Sequence, residues 1–243
     1  GLGDMHSSTG NNITPATVLE VYEPEMVRWL FAKYAPTDGF AFNFDDTIIR
    51  HYSEFDKGLE AVKNGEADEY NKTVYELCMI NGINVKAKVP FGVLASVAPI
   101  VDFSPQAVKE ILAKIGVEFD ERDEKRLERV KNWITKHQPS KMYKLLKNRN
   151  DEYYAALNDE EKEAIKKLAE YIESRDFVAE QEVQQYLYGI INKPELTKKE
   201  NTARQQRFFA VFYNVLFGTD KGPRLYLFLS AIDRSKYLNL LKF

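Results

Sequence analysis

From Thr14 onward the apolar residues recur three and four positions apart and almost nowhere in sustained alternation, which restricts this chain to packed amphipathic helices. Thr14-Pro15 reads as a cap followed by proline at the first helical position, with Val18, Leu19, Val21 and Tyr22 on the buried side. Glu23-Pro24 ends that helix and opens a second through Lys33, in which Met26, Val27, Leu30 and Phe31 face inward and Arg28 projects away. Asp45-Asp46 caps a long helix to about Val62, carried by Ile48, Ile49, Tyr52, Phe55 and Leu59. Further helices are predicted over Asp68–Ile80, Phe91–Val101, Pro105–Ile115, Glu121–His137, Asp159–Ser174, Glu180–Ile191, Thr202–Phe217, Arg224–Ala231 and Ser235–Leu241. The fold class is all-α, a bundle or cage of about ten helices behind a flexible loop formed by Gly1–Asn12.

With 243 residues and 44% hydrophobic content, the chain can bury one sizeable core or two smaller ones. No apolar run reaches the roughly 20 residues needed to cross a bilayer, and no leader pattern argues for export, so a cytoplasmic protein without a membrane partner is expected. Cys78 is the only cysteine and His6, His51 and His137 are scattered, so no disulfide framework and no metal site are expected. Residues 1–100 hold 8 Lys+Arg against 14 Asp+Glu, whereas residues 197–243 hold 9 against 3. The overall charge of −3 therefore conceals a basic carboxy-terminal segment. The acidic stretch Asp120–Glu128, interleaved with Arg122, Lys125 and Arg126, reads as a solvated helix face. Trp29 and Trp133 read as packing residues, with RNA contact as the alternative for Trp133 beside Lys131 and Lys136.

Two constellations carry chemistry. In the Thr202–Phe217 helix, Arg204, Gln205 and Arg207 stand beside Phe208, Phe209, Phe212 and Tyr213, with Lys221 and Arg224 after the turn. Cations hold phosphates and aromatic faces stack on splayed bases, a combination suited to a single-stranded RNA loop. Phe208, Val211, Phe212, Val215 and Leu216 follow helical spacing and belong to the core, which leaves Arg204, Gln205, Arg207, Phe209, Tyr213, Lys221 and Arg224 as candidate contacts. The other constellation is Asp4-Met5-His6-Ser7-Ser8-Thr9-Gly10-Asn11, a hydroxyl-rich run able to wrap phosphate oxygens.

Met5–Asn11 followed by the Ile13-Thr14-Pro15 cap resembles the KMSKS signature loop of class I aminoacyl-tRNA synthetases and the helix behind it. The resemblance is nearest to the class I lysyl enzymes and continues through Tyr22–Phe31, Phe44-Asp45, Tyr52–Asp56, Phe208–Tyr213 and Gly222–Leu225. It implies a carboxy-terminal part of such an enzyme: residues 1–12 the signature loop, 13–86 a helical connector, and 87–243 a helical anticodon-binding domain. It further implies a lysine-tRNA ligase that uses ATP and magnesium, binds tRNA(Lys) and no DNA, and meets lysine and ATP through a nucleotide-binding domain bearing the HIGH motif. Met5, His6, Ser7 and Ser8 would face ATP, but Asp4 and Ser7 stand where the signature has lysines. This chain alone is therefore expected to be inactive and to require no cofactor itself. A glutamyl-type synthetase and a free-standing RNA-binding or scaffold module are the rival readings.

Overall fold

The computed structural model describes residues 14–34, 44–80, 82, 87 and 89–243. Among them the regular structure is helical, with no strand, as the spacing of apolar residues predicts. The helices are α1 (Pro15–Leu19), α2 (Pro24–Lys33), α3 (Thr47–Lys63), α4 (Glu69–Cys78), α5 (Phe91–Val97), α6 (Pro105–Lys114) and α7 (Glu121–His137). After these come α8 (Asp151–Ala155), α9 (Asp159–Glu173), α10 (Glu180–Ile191), α11 (Lys198–Phe217), α12 (Leu225–Ala231) and α13 (Leu238–Leu241). The chain divides into two compact units, Gly1–Ala95 with Phe119–Pro139, and Ser96–Glu118 with Ser140–Phe243.

The first unit is organised around stacked rings and one buried cation. Tyr52 stacks on Phe91 with centroids 4.2 Å apart and lies parallel to Tyr22, and all three rings are almost wholly buried. Above Tyr52, 5.0 Å from its centroid, lies the guanidinium of Arg126, which is itself completely buried. Its five N–H groups are all used. Nε and Nη2 donate to the Glu23 carboxylate at 2.8 and 3.2 Å, while Nη1 and Nη2 donate to Asp56 at 2.7 and 3.0 Å. The last donor reaches the Val89 carbonyl at 3.1 Å. Burial works against this charge, but Glu23 and Asp56 more than compensate and the guanidinium pKa is raised. Asp123, one turn earlier and also fully buried, accepts the Val89 N–H at 2.8 Å and that of Asp120 at 2.9 Å.

This corrects the reading of Asp120–Glu128 as a solvated face. Asp123, Arg126, Leu127, Val130, Trp133 and Ile134 form the inner stripe of α7, three and four residues apart, with charged members at one end. Trp133 is buried as well, so the RNA-contact alternative for it is corrected: its Nε1 donates to the Phe44 carbonyl at 2.9 Å. Gln138 Nε2 donates to the same oxygen at 2.9 Å. Arg28 does not simply project away either, since its Nε donates to the Cys78 carbonyl at 2.9 Å. Leu19 and Phe31, expected on buried sides, are 43% and 62% exposed. Each follows a buried residue, Val18 or Leu30, and one helical step of about 100° turns it outward.

Local rules hold at most helix ends. Asp45 Oδ1 accepts the Thr47 N–H at 2.8 Å at the start of α3, and Asp120 closes a reciprocal capping box with Asp123. The helix expected over Phe91–Val101 is α-helical only to Val97 and continues as a 3-10 turn over Ala98–Val101. Pro99 explains the change, because it brings no N–H and clashes with the preceding turn. Among the described residues no single helix is long and apolar enough to cross a membrane.

In the second unit α11 runs through the core, with Phe208, Val211, Phe212, Val215 and Leu216 at most 3% exposed. It begins at Lys198 rather than Thr202, because Thr197 and Glu200 form a capping box: Glu200 Oε2 accepts the Thr197 N–H at 2.8 Å and Thr197 Oγ1 the Glu200 N–H at 3.3 Å. Gly218, at φ 71°, ends it in the left-handed conformation. Gly222 is held tightly, since a Cβ there would stand 2.3 Å from the Tyr213 ring.

Candidate nucleic-acid interface

The cations expected to meet RNA come from α11 and the turn behind it, and the structure gives most of them an internal partner. Arg204 lies where α11 passes the end of α10 and the start of α9. Its guanidinium is only 14% exposed, donates from Nε to the Ile191 carbonyl, and takes both oxygens of Glu160 in a fork. Lys193 Nζ lies 2.7 Å from the same carboxylate, and the Phe208 ring sits 4.6 Å beneath Arg204. Gln205 donates to Asn192 Oδ1 at 2.8 Å, at the carboxy-terminal cap of α10. Arg207 reaches the buried Glu161 at 2.6 Å while its own side chain remains 55% exposed, and Arg224 meets Glu180 at 3.0 Å with 58% exposure.

The aromatic candidates are placed as scaffold neighbours. Tyr213 donates from its hydroxyl to the Pro223 carbonyl at 2.9 Å, and burial pushes its pKa up to about 12. Phe209 is half-buried, edge-on to Tyr226 at 5.7 Å. Lys221 is exposed, and its carbonyl accepts the Thr219 hydroxyl at 2.6 Å. The structure thus brings Arg204, Gln205 and Arg207 together on one stretch of α11, and leaves Arg207, Lys221 and Arg224 as the most exposed cations of the set, the two arginines each beside one carboxylate. Met5, His6, Ser7 and Ser8 lie outside the described residues.

Sequence spacing did not reveal the counterions. Glu160 and Glu161 look like an ordinary acidic first turn of α9, and nothing local links them to cations more than forty residues later. The fork from Arg204, with Lys193 second, holds the Glu160 carboxyl at about 2. The unfolded value is about 4.3. A depressed folded pKa means that the pair stabilises fully above that unfolded value and loses its effect as pH falls towards about 2. Because the carboxylate is 46% exposed, solvent screening keeps the contribution below about 1 kcal/mol. Glu160→Gln is expected to give a shallower loss of thermal stability than the parent between about pH 4 and pH 2. Identical acid slopes for the two proteins would contradict the pairing.

Comparison with known proteins bears out the resemblance read from the sequence. Residues 1–81 match the family described as tRNA synthetases class I (K). Over 99% of its length the chain is 29% identical to the lysine–tRNA ligase of Thermococcus kodakarensis, covering 47% of that protein. The lysine–tRNA ligase of Pyrococcus horikoshii is 27% identical over 99% of the chain and 46% of its own length, and that of Treponema pallidum 28% over 98% and 46%. The chain spans somewhat less than half the length of these relatives.

Proposed function

We propose that this chain, a sequence relative of class I lysyl-tRNA synthetases over almost its whole length, is the tRNA-holding part of a lysine–tRNA ligase. In that enzyme ATP and magnesium would serve lysyl-adenylate formation in a nucleotide-binding domain, and lysine would pass to the terminal ribose of tRNA(Lys). The observation that carries the reading is similarity to lysine–tRNA ligases along 99% of the chain, including its basic last segment. Residues 13–86 would connect, and the helical body to residue 243 would hold the anticodon region. Arg207, Lys221 and Arg224, the most exposed cations of the set, would take backbone phosphates. Arg204, Gln205, Phe209 and Tyr213 would fix the surface that presents them. Met5, His6, Ser7 and Ser8 would lie towards ATP.

The test is binding of the chain to a lysine tRNA transcript, to the same transcript with its anticodon uridines replaced, and to a glutamate tRNA, at low and moderate salt. The reading expects the first to bind best, and expects no lysyl-tRNA when the chain alone is given lysine, ATP and magnesium. Preference for the glutamate tRNA would favour a glutamyl-type enzyme. Equal, salt-sensitive binding of all three would favour a free-standing RNA-binding module, the reading supported by Asp4 and Ser7 in place of the signature lysines.

A further inference from the structure

A second basic surface lies in the same unit as α11, at a cleft of about 280 Å³ between the end of α9, the end of α6 and the chain after α12. Lys114, Arg175 and Arg234 come to it from three different elements, and Lys236 stands near by within reach of Asp233. Two carboxylates share the cleft. Asp233 is tied to its own turn, accepting the Ser235 N–H at 2.9 Å and hydroxyl at 2.8 Å, and Asp176 is fully solvent-exposed at 3.5 Å from Arg234. Three cations thus line the cleft against two carboxylates, an excess of one that survives pairing.

The cations are held in place rather than neutralised. Arg234 caps the end of α9 by donating to the carbonyls of Ile172, Glu173 and Arg175, and the one carboxylate beside it, Asp176, is exposed to screening by solvent. Arg175 lies 3.7 Å over the Tyr171 ring, which in turn stacks on Tyr186 at 3.9 Å. Its Nη1 donates to the Tyr171 carbonyl at 3.1 Å and to Ser174 Oγ at 3.0 Å, and among the described residues it makes no ion pair. Two residues further on, Phe177 lines the cleft with 54% of its surface open to water. An exposed phenyl ring next to a flattened guanidinium and surplus charge is the equipment for one planar base and the phosphate beside it. The cleft falls just under the roughly 300–1,000 Å³ of drug-sized sites, room for a single ring system.

We infer that this cleft holds one unpaired base of a single-stranded RNA loop, stacked on Phe177, with a flanking phosphate taken by Lys114 and Arg175. The inference rests on the reading of the chain as a tRNA-binding protein and adds a site separate from Arg207, Lys221 and Arg224. Two variants test it on the full chain with the lysine tRNA transcript. Phe177→Ala is expected to weaken binding about fivefold to a hundredfold while leaving its salt dependence unchanged, as loss of one base stack requires. The pair Lys114→Glu and Arg175→Glu is expected to weaken binding and to flatten the slope of log affinity against log salt by about 0.7, the value for one lost single-strand phosphate contact. All three side chains are at the cleft surface, so matching circular dichroism melts establish that the variants fold. Unchanged binding by both variants, with the parent binding tightly, would overturn the cleft and leave the tRNA-binding reading standing. A parent chain that binds no RNA would overturn both.

Discussion

Replacing Arg126 with alanine is expected to cost the first unit about 3–5 kcal/mol, the loss that follows when one member of a buried charge cluster is removed. The size comes from what remains. Glu23 and Asp56, with side chains 15% and 16% exposed, would face each other across the vacated space without their cation, and the Val89 carbonyl would lose a donor. Lysine cannot restore the site, because a single ammonium does not supply two forks at once. Urea unfolding followed by tryptophan fluorescence reads this unit selectively, since Trp29 and Trp133 are the chain's two tryptophans and both lie in it. The triple variant Arg126→Met, Glu23→Gln, Asp56→Asn is expected to recover most of the loss, because it removes the uncompensated charges along with the cation. A cost under about 1 kcal/mol for Arg126→Ala would mean that water reaches the cluster in solution.

The same cluster explains what the resemblance to synthetases marks out. Glu23 belongs to the Tyr22–Phe31 segment and Asp56 to Tyr52–Asp56, two stretches that carry the likeness, and Arg126 joins them across seventy and a hundred residues. Phe44 supplies the carbonyl shared by Trp133 and Gln138, and Gly222-Pro223 supplies the turn on which Tyr213 rests. These motif residues hold helices together rather than face solvent, so they identify the architecture more directly than any binding surface.

How far the fold could be read from the sequence depends on whether the deciding interaction is local. Caps and periodicity are local, and Thr14, Asp45, Asp68, Ser104 and Asp120 each accept an N–H at the start of a helix near where the pattern predicts one. α8 was not expected, because five residues are too few to establish a period. Arg126 and Asp123 defy the expectation that charge faces solvent, yet both fall on the stripe of Leu127, Val130 and Trp133, a spacing the sequence itself carries. Glu160 with Arg204 and Glu161 with Arg207 were out of reach, since only folding brings α9 and α11 together. The basic segment is visible in the distribution of cations along the chain, whereas Arg175 and Phe177 stand among acidic neighbours in sequence and beside Lys114 and Arg234 in space.

Trp133 separates packing from recognition most directly. Trp133→Ala is expected to cost about 3–5 kcal/mol, because the indole is wholly buried against Phe91, with ring centroids 5.5 Å apart, and its removal takes away the largest side chain of the buried set. Trp133→Phe is expected to cost only about 1–2 kcal/mol: much of the ring volume stays, and the Phe44 carbonyl that loses the indole N–H keeps its bond from Gln138. The order of the two costs tests the geometry, since an indole held mainly by its hydrogen bond would lose nearly as much with phenylalanine as with alanine. In the parent protein both tryptophans should emit in the blue and resist iodide, and saturating tRNA should leave Trp133 emission, isolated in a Trp29→Phe background, unchanged. Strong quenching there would place RNA against a ring that the fold encloses. Retained tRNA affinity in Trp133→Phe would instead confine this residue to holding α7 on the ring stack beneath Arg126.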